Sequence, residues 1–132
     1  MADNFAFELV SPDNLFFSDH AEIVIIPGME GDMGILSNHA PLIVSLRPGF
    51  VRVKLSDSDE NSYFISGGFA DIMQSHLILL ATYFIPKSDM THGLLKEQIK
   101  KVNQRFDKKN DDVSKAMADF YIRQLLSLED SI

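Results

Sequence analysis

The stretch GMEGDMGILSNHAPL, residues 28–42, sets three glycines at three-residue spacing beside two acids, Glu30 and Asp32, and a histidine, His39. Glycine-rich loops cradle phosphates when backbone N–H groups at a helix N-terminus point at the anion, usually with a lysine to help. Those conditions fail here. Gly28, Gly31 and Gly34 spell G-x-x-G-x-x-G, which matches neither nucleotide fingerprint, and Pro41 leads into the strand-like LIVSL instead of a helix. Glu30 and Asp32 would also repel a phosphate. The glycines are read as suppliers of positive φ in tight strand connections. A loop this elaborate is also suited to be a contact surface, because function concentrates on loops held by rigid scaffolds.

The other reactive residue types are equally spare. His39 has neither a nucleophile nor a second histidine nearby, so a histidine held between turns by hydrogen bonds is the plainer reading. His20, His39, His76 and His92 show no metal-ligand spacing, and cysteine is absent, so no metal site, thiolate chemistry or disulfide is expected. Gly67 and Gly68, between two strand-like runs, mark a tight bend or a close backbone approach, with a glycine surface against a partner as the sharper reading. The run Lys96, Lys100, Lys101, Arg105, Lys108 and Lys109 suits a solvated helix face better than a nucleic-acid site. The acidic first part of the chain argues further against polyanion binding, so no nucleic acid is expected as partner.

These residues must be positioned by two kinds of element. Up to Pro86, the runs FAFELV, AEIVIIP, LIVSL, FVRVKLS, SYFIS and HLILLA are rich in β-branched and aromatic residues and separated by turn-forming clusters. In FVRVKL, Phe50, Arg52 and Lys54 alternate with Val51, Val53 and Leu55, the period of a half-buried strand. SDSDENS, residues 56–62, is expected to be a hairpin tip. The rhythm predicts an all-β flattened sandwich or barrel over residues 1–86. Beyond Pro86, Leu95, Ile99, Val102 and Phe106 fall on one face of a helix. Residues 107–112, DKKNDD, break it, and Asp111 or Asp112 can cap a second helix. That helix carries a stripe of Val113, Met117, Phe120, Tyr121, Leu125 and Leu128. Residues 87–132 are therefore expected to form an α-helical hairpin.

Bulk properties agree with two modules. The chain has 132 residues and a net charge of −7, but residues 1–86 hold 11 acids and 3 bases while residues 87–132 hold 8 acids and 9 bases. No apolar run approaches the ~20 residues that cross a bilayer. MADNFAFELV lacks the pattern of a secretory signal.

The motifs FELVSP, EGDMGIL, NHAPL, LRPG and SGGF, in this order across about residues 5–85, resemble those of the epsilon subunit of F-type ATP synthases, called delta in mitochondria. The resemblance implies a β-sandwich followed by two helices on the rotating central stalk, not catalytic by itself and without a cofactor. It implies that the chain couples rotation of the membrane ring to the catalytic head. In many bacterial members the C-terminal helices also extend into that head and block ATP hydrolysis. It further implies that Glu30, Gly31 and Asp32 face the polar loops of the rotor ring, and that Ser11, His39, Ser66 and Asp71 lie on the face toward the gamma subunit. The basic helix residues Lys96, Lys100, Lys101 and Arg105 would meet acidic segments of the catalytic alpha and beta subunits. The setting would be peripheral, on the cytoplasmic face of the bacterial inner membrane or its organellar equivalent.

One departure bears on regulation. Members that bind ATP in the hairpin carry an acid and an Arg-Ala pair where this chain has Thr91, Leu94 and Leu95, so no nucleotide site is expected. The rival from another class is a stand-alone β-sandwich ligand-binding module or small enzyme using His39 and Asp71.

Overall fold

The computed structural model describes residues 4–13, 16–55, 59–107 and 111–132. It divides into two compact units, Met1–Ser88 and Asp89–Ile132.

The first unit is built of ten strands: β1 (Phe5–Val10), β2 (Phe16–Ala21), β3 (Ile23–Gly28), β4 (Gly31–Leu36), β5 (Leu42–Leu46), β6 (Gly49–Lys54), β7 (Glu60–Ile65), β8 (Gly68–Ile72), β9 (His76–Ala81) and β10 (Phe84–Pro86). They form one curled ladder in the order β10-β7-β6-β3-β5-β8-β9-β1-β2, with β4 on the remaining edge of β3. All pairings are antiparallel except β1 with β9. The ladder turns from one layer to the next where Gly28 of β3 pairs with Leu46 of β5. Its far ends meet again across the core. Phe17 of β2 lies 6.1 Å from the Phe7 ring and 5.0 Å from the Tyr63 ring of β7, as centroid distances.

Period-two patterning determines which side chains fill the interior. In β1, Phe5, Phe7 and Leu9 are buried while Ala6, Glu8 and Val10 are half-buried. In β6, Val51 and Val53 point inward and Arg52 outward. Leu77 and Leu79 of β9 join them in a core that draws on all ten strands.

Several strands exceed the sequence expectation. AEIVIIP splits at Glu22, so that Ala21 closes β2 and Ile23 opens β3. β4 occupies much of the stretch expected to be a loop, residues 28–42, because pairing with β3 over its whole length offsets the poor strand propensity of two glycines. β2, β8 and β10 are likewise made by their neighbours. Glu60, Asn61 and Ser62, expected in a hairpin tip, pair with β6, while residues 56–58 of that tip lie outside the described residues.

In the second unit, α1 (His92–Asp107) begins where the Thr91 hydroxyl accepts the Leu94 N–H at 3.1 Å. α2 (Asp112–Leu126) is capped by the Asp111 carboxylate, which accepts the Ser114 N–H at 2.6 Å. Leu95 and Leu125 are buried, and the Phe106 and Tyr121 rings stack 6.1 Å apart, 19° from parallel. Val113 does not join the stripe expected of it. It is 74% exposed in the first turn of α2, where Ser114 takes the inward position.

Candidate partner interface

The outward face of the β5-β8-β9-β1-β2 layer departs from the usual rule that a solvated sheet face is polar. Register places Ser45, Phe69, Leu80 and Val10 in one row across four strands, and Ile43, Asp71, Ile78 and Glu8 in the next. Ile43 is 72% exposed, Phe69 54% and Leu80 50%. Contiguous exposed apolar side chains with polar neighbours mark a protein-binding surface.

Gly68 sets the spacing of this face. Its φ is +144°, and a Cβ there would fall 1.9 Å from the Leu80 carbonyl oxygen. Only glycine lets β8 and β9 approach so closely, which brings Phe69 beside Leu80. Ser11 shares a shallow recess with both of those side chains. Its hydroxyl is buried and without a hydrogen-bond partner among the described residues.

The residues singled out from sequence do not form one cluster. Asp71 lies mid-face between Ile43 and Ile78. Ser11 and Ser66 lie at one end of the layer, where Ser66 donates to the Tyr83 carbonyl at 3.4 Å. His39 lies at the other end, with Nδ1 2.7 Å from the Ala40 carbonyl oxygen. The neighbouring Asn38 there donates its N–H to Gln74. No arrangement of nucleophile and base follows from these positions. Among the described residues, no group of three or more His, Asp or Glu is placed to hold a metal ion.

A second surface is the reversal between β3 and β4. Gly28 pairs with Gly31, leaving Met29 and Glu30 at the tip. Among the described residues Asn38 alone of the non-glycines has positive φ, so the unusual backbone of this turn falls on Gly31, at +141°. Gly28 is required for a different reason, since a Cβ there would meet the Gly31 carbonyl oxygen at 2.7 Å. Gly34 has neither constraint, so positive φ explains one glycine of the three. Glu30 and Asp32 are both exposed, but Asp32 is not free. Arg47 Nη2 reaches its carboxylate at 2.5 Å, and Nη1 donates to the Gly28 carbonyl at 2.5 Å.

On α1, Lys96, Lys100, Lys101 and Arg105 are all exposed. Arg105 is engaged within the hairpin, its guanidinium 5.2 Å from the Phe106 ring centre and 5.9 Å from that of Tyr121. Lys108 and Lys109 lie outside the described residues. No helix among the described residues is long and apolar enough to cross a membrane.

Sequence reasoning missed Arg47 and the exposed trio Ile43, Phe69 and Leu80. A signal for Leu80 was present in HLILLA, which is apolar at inward and outward positions alike, whereas nothing in the local sequence marked Ile43 or Phe69 as exposed.

Comparison with known proteins decides the family. Residues 4–87 match the ATP synthase Delta/Epsilon chain beta-sandwich domain. The ATP synthase epsilon chain of Mesorhizobium japonicum is 37% identical over 132 residues, covering 100% of this chain and 98% of its own. The chain belongs to the ATP synthase epsilon-chain family. The Parvibaculum lavamentivorans epsilon chain is 40% identical over 85% of this chain and 86% of its own. Among solved structures, a chain of the Euglena gracilis mitochondrial ATP synthase superposes with TM-score 0.72 at 21% identity, covering 97% of this chain and 81% of that one. A chain of the Tetrahymena thermophila mitochondrial ATP synthase, from its central stalk and c-ring, gives 0.67 at 10%, covering 97% and 98%. Those two likenesses show the fold. As an epsilon chain the protein is not an enzyme by itself, which sets aside the catalytic role considered for His39 and Asp71.

Proposed function

We propose that this epsilon chain couples the rotor ring to the catalytic head of a proton-translocating ATP synthase, as a rigid wedge between the gamma subunit and the ring. The exposed apolar rows through Ile43, Phe69 and Leu80 carry the reading, because a surface of this kind needs a protein partner. Gamma packs on that face, with Asp71 within it and Ser11, Ser66 and His39 at its two ends. Glu30, Gly31 and Asp32 present the β3–β4 turn to the polar loops of the ring. Lys96, Lys100, Lys101 and Arg105 meet acidic segments of the alpha and beta subunits when the hairpin restrains hydrolysis. The setting proposed is the cytoplasmic face of a bacterial inner membrane, in keeping with the bacterial source of the relatives that match along the whole chain.

The test is co-purification with gamma from the native membrane. Phe69→Asp and Ile43→Asp put a charge in the contact without touching the core, and each should abolish recovery of gamma while the isolated chain still folds. Full recovery of gamma with both substitutions present would overturn the proposal.

A further inference from the structure

We infer that Glu8 and His76 form a proton-binding pair within the gamma-facing surface, and that docking of gamma is accompanied by uptake of a proton on His76. The inference rests on the reading that gamma packs on this face. Register places Ala6 of β1 between His76 of β9 and His20 of β2, in the row next to the one that holds Glu8 and Ile78. Glu8 thus lies diagonal to His76, and its Oε2 is 3.5 Å from His76 Nε2. That nitrogen is shut off from solvent and has no hydrogen-bond partner among the described residues. The charged group beside it is a carboxylate.

The charges around the pair are one-sided. β1, β2, β5, β8 and β9 contain no lysine or arginine, so within these strands the carboxylates have only imidazoles to pair with. Glu8 on β1 and Asp71 on β8 belong to the outward row, one on each side of Ile78. Asp19 on β2 is opposite Phe7, at an inward position. His20 lies two strands from His76 across Ala6. His39 precedes β5 at the same end of the layer, where the neighbouring Asn38 N–H reaches the Gln74 carbonyl.

Both members of the pair keep about a third of their side-chain surface in water, 30% for Glu8 and 34% for His76. A partner laid over Ile78, Leu80 and Phe69 removes that water. A carboxylate covered without a counter-charge is strongly disfavoured. Protonated His76 supplies the counter-charge in place, as an imidazolium whose Nε2–H points to the Glu8 carboxylate. Binding and proton uptake are then linked, because whatever holds the proton also holds the complex. Affinity is greatest where imidazole is protonated, and it falls as pH rises and His76 of the complex gives its proton up.

The test measures binding of the full-length chain to the catalytic head with gamma attached, stripped of its own copy of this chain. The span runs from about pH 6 to about pH 8, over which an imidazole ordinarily loses its proton. The Kd of the natural chain should rise several-fold across that span. Calorimetry in two buffers of different ionisation enthalpy should show net proton uptake at about pH 7. His76→Asn should lose the uptake and most of the pH dependence. Glu8→Gln should do the same, since it removes the charge that holds the proton, and the double variant should add nothing further. Equal pH dependence in the natural and His76→Asn chains overturns the inference, as does its loss in His20→Asn or His39→Asn instead. Tight binding at about pH 8 with no uptake by the natural chain also overturns it, because gamma then brings its own cation to Glu8. Uptake is read on the natural chain and needs no variant to fold. Phe69→Asp separates the two levels of reading. If it binds as tightly as the natural chain, gamma does not use this face, and the docking proposal and the inference fall together. If it fails to bind while the natural chain binds without pH dependence, the inference alone falls.

Discussion

The β unit and the helical hairpin bury their apolar residues on different scales. In the first, Phe7, Leu9, Val24, Ile26, Ile65, Ile72, Leu77 and Leu79 are all fully enclosed, and the core runs through both layers. In the second, the buried apolar residues among those described are Met90, Leu95 and Leu125. Two helices of 16 and 15 residues sit near the length at which an isolated helix is marginal in water, about 12–15 residues. A unit so thinly buried opens at low cost. The β unit should therefore resist local opening more strongly than the hairpin.

That contrast breaks most visibly in the core. Phe7→Ala empties a site enclosed on all sides and should cost about 3–5 kcal/mol, enough to threaten the fold of the β unit. Leu125→Ala in the hairpin should melt the helices alone, leaving the β-sheet amide signals in place. Circular dichroism followed with amide-resolved exchange checks both. A Leu125→Ala chain whose strands also lose protection would show that the two units are not independent in stability.

A smaller effect sharpens the comparison at a helix end. The Asp111 carboxylate satisfies one of the orphan N–H groups of α2. Asp111→Ala should cost the hairpin about 0.5–2 kcal/mol. Exchange at Ser114 and Lys115 should rise while exchange in β1 and β9 stays unchanged. Because the hairpin has little burial in reserve, this change should be visible as lost helicity at ordinary temperature. The same loss inside the sandwich would pass unnoticed.

How far the sequence could be read also differs between the regions, for physical reasons. β1, β3, β6 and β9 announce themselves because their own residues are mostly apolar, with β-branched or aromatic members in each but few in β9, and β6 alternates as well. β2, β4, β8 and β10 do not, because FFSDHA, GDMGIL, GFADI and FIP become strands only when a neighbour supplies the ladder. The turn at Gly28 and Gly31 was legible as a glycine requirement, but its arginine contact was not, since Arg47 reaches it across 15 residues of chain. The helices were legible from their period. Val113 was misplaced because a first-turn residue before an inward Ser114 has no packing partner to turn toward.

Alkaline pH gives a finer probe of the β unit. Burial, and then the negative charge of Asp19, raise the Tyr63 pKa above the ordinary 10.0. A raised folded-state pKa means that the neutral phenol is favoured by folding. The stabilisation is whole below pH 10 and is lost as pH rises through the folded-state value. Unfolding free energy should therefore fall more steeply above pH 10 in the natural chain than in Tyr63→Phe, with the two curves parallel below it. Denaturant titration at several pH values measures the slopes. Equal slopes above pH 10 would show that Tyr63 ionises as freely folded as unfolded.

The smallest change expected is the one that removes the most chain. Ending the protein at Ser88 deletes the whole second unit, yet the core from Phe5 to Phe84 is supplied entirely by the first. Its strands also find their ladder partners within that unit. The shortened chain should unfold in one transition, with a midpoint within about 4 °C of the sandwich transition in the full chain, a change under ~1 kcal/mol. The converse fragment, residues 89–132, should be largely unstructured alone, because three buried apolar side chains do not offset the entropy of ordering two helices. Calorimetry on the shortened chain and circular dichroism on the fragment decide the point together. A shortened chain that aggregates or unfolds below room temperature would mean that the sandwich depends on the hairpin, and the independence of the two units in stability would have to be given up.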